Sequence, residues 1–202
     1  MGTRHLTMVI DQKGKTKIAQ YGQWDGYPSG QGTTVLKFLK NPKNIDKLKA
    51  KFPMIRFATV QDKKEIDDFM KSIGSKDGWM TGDQADKYHQ KYPLLTRDNG
   101  AEILNMLLKI NENVFIMNQT EFAGDSLFCE WAYVIDLKKK VLEVYTGFNC
   151  KPLPKRARFK ILEKFMKETD KYYPIRLVKK WSLNDLPNLR TFIKELTSSN
   201  EE

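Results

Sequence analysis

The segment LFCEWAYVIDLKKKVLEVYTGF, residues 127–148, decides the predicted fold. Its two halves are rich in β-branched and aromatic residues and a run of lysines separates them, so the segment predicts a β-hairpin. Alternation along the first half defines two faces, with Cys129, Trp131, Tyr133, Ile135 and Leu137 on one and Phe128, Glu130, Ala132, Val134 and Asp136 on the other. Because both faces are partly apolar, we expect central strands that are covered on both sides.

Strand patterns also lie near both ends of the chain. RHLTMVID (4–11) alternates in polarity and, after a glycine turn, leads into TKIAQYGQW (16–24), which predicts an N-terminal hairpin. IRLVKKW (175–181) predicts a last strand, and several segments between the strands have helical spacing; a capping box of Asp62 and Glu65 would begin one of these helices. This order predicts an α+β domain, an antiparallel sheet of about five strands with helices packed on it.

The composition predicts a single domain with an uneven charge. The chain has 202 residues, 40% of them hydrophobic, which suffices for a core in one domain over residues 1–202. The formal net charge is +10, and residues 151–180 contain eleven Lys or Arg and three acidic residues. We therefore expect residues 151–202 to form a basic, mainly helical C-terminal part, and residues 151–180 to bind nucleic acid non-specifically. The alternative is a solvated helix face that lysine keeps soluble.

Several classes of protein are disfavoured by what the sequence lacks. The longest apolar stretches fall far short of the roughly 20 residues that a membrane-spanning helix needs. The N-terminal segment MGTRHLTMVI has no signal-peptide pattern, so we expect a cytoplasmic protein with no membrane partner. Cys129, Cys150, His5 and His89 show no zinc-ligand spacing. We therefore predict no metal site and no cofactor.

The most unusual stretch is YGQWDGYPSGQG, residues 21–32, which holds four glycines and three aromatic rings. Glycine lets backbone amides approach a ligand closely. A helix is predicted to begin directly after the loop, with Thr33 or Thr34 as its cap, and the N-terminus of a helix favours anions. We therefore expect the amides from Gly30 to Thr33 to hold a phosphate. The loop matches neither the Walker A motif nor GxGxxG.

These features predict a soluble binding protein for a small anionic, ring-containing ligand of the nucleotide kind. Trp24 and Tyr27 are expected to stack on the ring, and Arg4 is expected to add positive charge. The predicted ligand-binding residues are Arg4, His5, Tyr21, Gln23, Trp24, Asp25, Tyr27, Ser29, Gly30, Gln31, Gly32, Thr33 and Glu130. The prediction requires the amides of the loop to face an open cavity beside exposed rings.

Three alternatives remain open at this point. The first is a hydrolase or transferase that acts on the same ligand, with Glu130, His5 or Asp25 as acid or base. The second is an interaction domain whose loop aromatics are buried in a partner or in the interface of a homo-oligomer. The third is a rigid Ω-type loop whose aromatics close the edge of the core.

Four segments carry a resemblance to known sequences: MGTRHLTMVI (1–10), AQYGQWDGYPSGQG (19–32), LLTRDNGAEIL (94–104) and FCEWAYVIDLKKKVLEVY (128–145). Together they resemble a family of uncharacterised proteins from bacteria, phages and fungi. The resemblance covers most of residues 1–148 and fades across the basic C-terminal part. It implies no established activity and no catalytic residues. A phage setting would favour sequestration of a nucleotide immune signal.

Overall fold

The structure is a computed structural model, and it describes residues 2–76, 79–167 and 170–197. The strands are β1 (His5–Ile10), β2 (Thr16–Gly22), β3 (Ile55–Phe57), β4 (Val114–Ile116), β5 (Trp131–Asp136), β6 (Val141–Thr146) and β7 (Arg176–Ser182). The α-helices are α1 (Thr33–Lys40), α2 (Pro42–Lys51), α3 (Val60–Ser72), α4 (Gly82–Lys91), α5 (Ile103–Leu108) and α6 (Leu189–Thr197).

The main sheet has five strands in the order β2-β1-β5-β6-β7, which confirms the predicted α+β class. Its two hairpins, β1–β2 and β5–β6, are the two predicted from the sequence. The strands β1 and β5 pair in parallel at the centre, with His5 opposite Trp131, whereas the other neighbours are antiparallel. A parallel pair needs a long crossover, which the residues between the two hairpins supply. β3 and β4 form a separate parallel pair.

Both faces of the main sheet are covered, as the apolar character of both faces predicts. Tyr133 and Ile135 on one face of β5 pack in a core with helices α1, α2, α5 and α6. Val134 on the opposite face packs in a second core, which the 3₁₀ segment Lys160–Phe165 covers. Cys129 lies in this second core rather than beside Trp131, because β5 begins only at Trp131 and the chain before it does not alternate as a strand.

The C-terminal part is not mainly helical, which corrects the prediction. Between residues 151 and 175 the only helical element in the described chain is the 3₁₀ segment Lys160–Phe165, and β7 and α6 follow. Tertiary contacts can outweigh helical propensity, and one such contact ties this segment to the sheet. Arg158 donates from Nη2 to Asp136 Oδ2 (2.5 Å) and from Nε to Glu143 Oε2 (2.7 Å), which fixes this segment against the β5–β6 hairpin.

Two predicted helix caps are also wrong. Helix α3 begins one turn earlier than predicted, because the capping box is formed by Thr59 and Asp62 rather than by Asp62 and Glu65. Arg56 also pairs with Asp62. Helix α1 has Gly32 as its N-cap residue, and the Thr33 hydroxyl donates to the Pro28 carbonyl 3.1 Å away.

Candidate functional site

The glycine-rich loop packs on the sheet instead of enclosing an open cavity. Its residues Pro28–Gly32 form a single π-helical turn that continues into α1. A Cβ atom on Gly22 would lie 2.0 Å from His5 Cε1, and one on Gly32 would lie 2.8 Å from the Tyr133 ring. The Tyr133 hydroxyl donates to the Gly26 carbonyl at 2.8 Å. The glycines at 22 and 32 therefore allow close contact with side chains of the sheet, as the rigid-loop alternative expects.

The amides that were predicted to hold a phosphate are already engaged. The amides of Gly30 and Gly32 donate to Tyr27, that of Gln31 to Asp25 and that of Thr33 to Gly30. The π-helical turn supplies these acceptors, because it runs without a break into α1. The prediction that residues 30–33 present free amides to an anion is therefore wrong.

The side chains of the loop divide between surface and packing roles. Trp24 is 47% exposed, but its Nε1 donates to Asp98 Oδ1 at 2.8 Å, which fixes the ring. Tyr27 is about as exposed as Trp24, and Asp25 and Ser29 are also exposed. The other polar side chains contact the protein itself, with Gln31 Oε1 accepting from the Ala101 amide and Tyr21 donating to Gln23 Oε1.

His5 lies inside the protein, below the loop. Its side chain is fully buried, and neither ring nitrogen has a hydrogen-bond partner in the part of the chain that the structure describes. Burial lowers the pKa of His5 from 6.5 to about 3, so the ring is neutral at physiological pH. The buried ring is thus out of reach of a ligand at the surface, and the roles of His5 in ligand binding and acid–base chemistry stay predictions.

Other predicted residues meet at the end of the sheet where β1 and β5 begin. The Arg4 amide donates to Glu130 Oε1 at 3.2 Å, and the Glu130 amide donates to the Arg4 carbonyl at the same distance. The Arg4 guanidinium carbon lies 4.6 Å from the centre of the Phe128 ring, within the range of a cation–π contact. Burial raises the pKa of the Tyr21 phenol, while the charges of Arg4 and Arg97 oppose this rise. Two arginines thus lie near one phenol here.

A groove of about 310 Å³ adjoins this cluster and is lined by Glu130, Trp131, Thr146, Gly147, Phe148 and Arg176. Phe148 is its most unusual residue, because it has a φ of 51° and a side chain that is 56% exposed. A bulky residue in the left-handed region is strained, and such strain is concentrated at functional sites. The Phe148 amide donates to the Ser126 carbonyl at 2.7 Å, which helps to hold this conformation. The ring is therefore held at the surface beside Arg176.

The strand order sets the span of this surface. Arg4 precedes β1, and Arg176 begins β7 opposite Thr146 of β6. Three inter-strand steps separate β1 from β7, which corresponds to roughly 14 Å. Glu130 lies between the two arginines, directly before β5. We call Arg4, Phe128, Glu130, Phe148 and Arg176 the sheet-end site.

Sequence reasoning identified Arg4 and Glu130 as site residues but missed Phe128, Phe148 and Arg176. The hairpin pattern ends at Thr146, and the sequence TGF that closes it indicates only a turn. Arg176 reaches the groove because β7 pairs with β6, and that contact joins residues 30 positions apart. The sequence signal that could have found Phe148 is the end of the strand pattern at Gly147, because the aromatic residue that follows has no neighbouring strand to pack in.

Part of the positive charge in residues 151–180 is neutralised within the protein. Arg158 pairs with the two buried carboxylates of the hairpin, Lys160 with Glu163 and Lys179 with Glu195. The remaining cations lie partly in irregular chain and partly on regular elements, such as Lys164 in a 3₁₀ segment and Arg176 and Lys180 on β7. Non-specific binding of nucleic acid by this segment stays a prediction.

Comparison with known proteins adds no further assignment. No family model matches the chain, and neither a curated protein nor a solved structure was found to match it. The resemblance to an uncharacterised family stays a prediction. No described helix has the length and apolar character needed to cross a membrane. Across residues 2–76, 79–167 and 170–197, no three His, Cys, Asp or Glu side chains are grouped to hold a metal ion.

Proposed function

We propose that the protein binds a small anionic, ring-containing ligand of the nucleotide kind, and that it does so at the sheet-end site. The observation that carries the proposal is the exposed, conformationally strained Phe148 ring beside Arg176 and Glu130 in one groove. The proposed ligand class is the one predicted from the sequence. The proposed groups are different, because the amides of the loop are engaged and the binding groups lie across the sheet end.

The charges of the site support an anionic ligand. Neither Arg4 nor Arg176 forms a salt bridge with a carboxylate among the described residues. A guanidinium offers a planar fork of donors that matches phosphate or carboxylate oxygens. Arg4 lies directly before β1 and Arg176 begins β7, and these two strands are roughly 14 Å apart. The two arginines could therefore contact two separate anionic groups of one ligand.

The exposed rings of the site support a flat ligand. Phe128 and Phe148 are both exposed, and Arg4 lies over Phe128. Stacking of a base on an aromatic side chain is worth about 1–3 kcal/mol. Glu130 lines the groove, and its carboxylate, which accepts from the Arg4 amide through Oε1, has further acceptor capacity for N–H or O–H groups of a ligand. An aromatic ring, a positive charge and a hydrogen-bond acceptor thus line the same groove, on Phe148, Arg176 and Glu130.

The hydrolase or transferase alternative retains one of its three candidate residues. His5 is buried, and Asp25 lies in the loop outside the residues that line the groove. Glu130 alone is in place to act as an acid or base. One carboxylate gives weak support for catalysis, whereas two arginines and two exposed rings give stronger support for binding. We therefore propose binding as the function.

Calorimetry against mono-, di- and cyclic nucleotides tests the proposal. Arg176→Gln should weaken binding about tenfold or more, whereas Arg190→Gln on α6, which removes the same charge elsewhere, should behave like the wild type. Phe148→Gly removes the ring and suits the backbone conformation, so it should lose affinity while staying folded. Trp24→Ala should leave affinity unchanged.

The same experiment separates the alternatives. No heat of binding across the panel, or equal affinities of Arg176→Gln and Arg190→Gln, would contradict the proposal. Loss of affinity in Trp24→Ala would show that the ligand binds at the glycine-rich loop instead of the sheet-end site. Mass spectrometry of the ligand after incubation distinguishes binding from turnover, because a binding protein releases the ligand intact.

A further inference from the structure

A second cleft, of about 740 Å³, lies on the opposite part of the surface from the helical core. It is formed where the 3₁₀ segments Thr120–Gly124 and Lys160–Phe165 meet the chain before β5. Its lining residues are Glu121, Gly124, Asp125, Leu127, Leu162, Phe165, Met166, Asp170, Lys171 and Tyr172. Its volume is in the range of sites that bind drug-sized molecules or several side chains of a peptide.

The charge of this cleft is opposite to that of the whole protein. Three carboxylates and one lysine line it, although the chain carries a formal net charge of +10. The side chains of Glu121 and Asp125 make no hydrogen bond and no ion pair with the rest of the described chain. Unpaired carboxylates beside apolar walls are complementary to a cationic partner.

The apolar surface continues beyond the cleft. Phe165 in its wall is 62% exposed, with Lys164 Nζ 4.7 Å from the centre of its ring, and Ile161, four residues earlier in the same 3₁₀ segment, is 63% exposed. Leu127 on the facing wall is also exposed. A small molecule confined to the cleft would leave this surface in water, whereas a peptide segment that lies along the cleft would cover it.

We propose that this cleft docks a cationic, amphipathic segment of a partner protein. Lysine or arginine side chains of the segment would lie against Glu121 and Asp125. Its apolar side chains would fill the cleft and cover Phe165 and Leu127. The inference does not rest on the proposed nucleotide-like ligand: the two cavities share no lining residue, although Phe148 of the sheet-end site contacts Tyr172 at the edge of the cleft.

Fluorescence anisotropy with two labelled peptides of equal length tests this inference. One peptide is an amphipathic sequence of leucine and lysine, and its counterpart replaces each lysine by glutamate. The measurement is made at about 0.15 M salt, where exposed long-range charge effects are largely screened. Two protein variants probe the cleft: Phe165→Ser, and the double variant Glu121→Gln with Asp125→Asn. The double variant Asp67→Asn with Asp68→Asn on α3 removes the same charge elsewhere.

The leucine–lysine peptide should bind the wild type, and the Glu121→Gln/Asp125→Asn variant should weaken this binding about tenfold. Phe165→Ser should weaken it at least fivefold, and the α3 control should leave it unchanged. The leucine–glutamate peptide should show no sensitivity to these variants. Equal effects of the cleft and control variants would overturn the inference.

The oligomeric state separates a partner from a second copy of this chain. Light scattering of the wild type should give the mass of a monomer. A wild-type dimer that Phe165→Ser dissociates would show that another copy occupies the cleft and would overturn the inference. Since the substituted side chains are exposed, circular dichroism should show every variant folded like the wild type.

Discussion

Lowering the pH from 7 to 5 should destabilise the protein through His5. In the folded protein this ring is fully buried and has no acceptor for a second proton among the described residues, and its pKa is about 3. In the unfolded chain the pKa has its ordinary value near 6.5. The unfolded state therefore binds a proton at a pH at which the folded state does not. Stability is full above pH 6.5 and falls as the pH drops toward 3.

The size of the effect follows from the two pKa values. Each pH unit below 6.5 favours the unfolded state by about 1.4 kcal/mol, so the loss due to His5 is about 2 kcal/mol at pH 5. Other groups titrate over the same range, but their contribution is shared by a variant that lacks only the imidazole. The difference between wild type and variant therefore isolates His5.

Urea unfolding at both pH values measures this difference. The wild type should lose about 2 kcal/mol more than His5→Leu between pH 7 and pH 5. His89→Gln removes the other histidine, which lies on α4, and should keep the wild-type pH dependence. The reasoning is refuted if wild type and His5→Leu lose the same free energy, or if the His5 ring protons titrate near pH 6.5 in an NMR experiment.

Two further substitutions test the packing, each by urea unfolding. Gly22→Ala should lower the free energy of unfolding by more than about 3 kcal/mol, because its Cβ would overlap the His5 ring. Gly82→Ala, whose new Cβ would meet no other residue within 4 Å, should be neutral or should raise the free energy of unfolding by up to about 1 kcal/mol. A small effect at position 22 would show that the loop does not rest on the imidazole. Arg158→Met should lower the free energy of unfolding by about 3–5 kcal/mol, because buried Asp136 loses its ion pair and buried Glu143 keeps as its cation only the exposed Lys139, 4.0 Å away. A loss below about 1 kcal/mol would mean that the hairpin does not depend on this pair.

The sequence predicts the sheet better than it predicts the contacts between distant segments. Period-two alternation is a local property, so both hairpins and the last strand could be located, and the burial of both faces of β5 followed from its apolar composition. The parallel pairing of β1 with β5 joins segments more than 120 residues apart and has no local signal. Residues 151–175 were predicted to be mainly helical, but the contacts of Arg158 with the β5–β6 hairpin are tertiary and have no local signal in the sequence.

The candidate site shows the same division. A glycine indicates that another group comes close to the backbone, but it does not indicate whether that group is a ligand or a side chain of the protein. At Gly22 and Gly32 the close groups are the rings of His5 and Tyr133. Arg4 could be selected because it begins the first predicted strand, and Glu130 because it lies in the predicted hairpin beside aromatic residues. Phe148 and Arg176 join them only through the pairing of β6 with β7, which the sequence alone does not reveal.

The most direct test of the central claim is an NMR titration of the isotope-labelled protein with the same nucleotide panel. We predict that at least one nucleotide shifts the amide resonances of Glu130, Gly147, Phe148 and Arg176, while those of residues 30–33 stay in place because they are bonded within the loop. Shifts confined to residues 30–33, or no shifts with any nucleotide, would contradict the account.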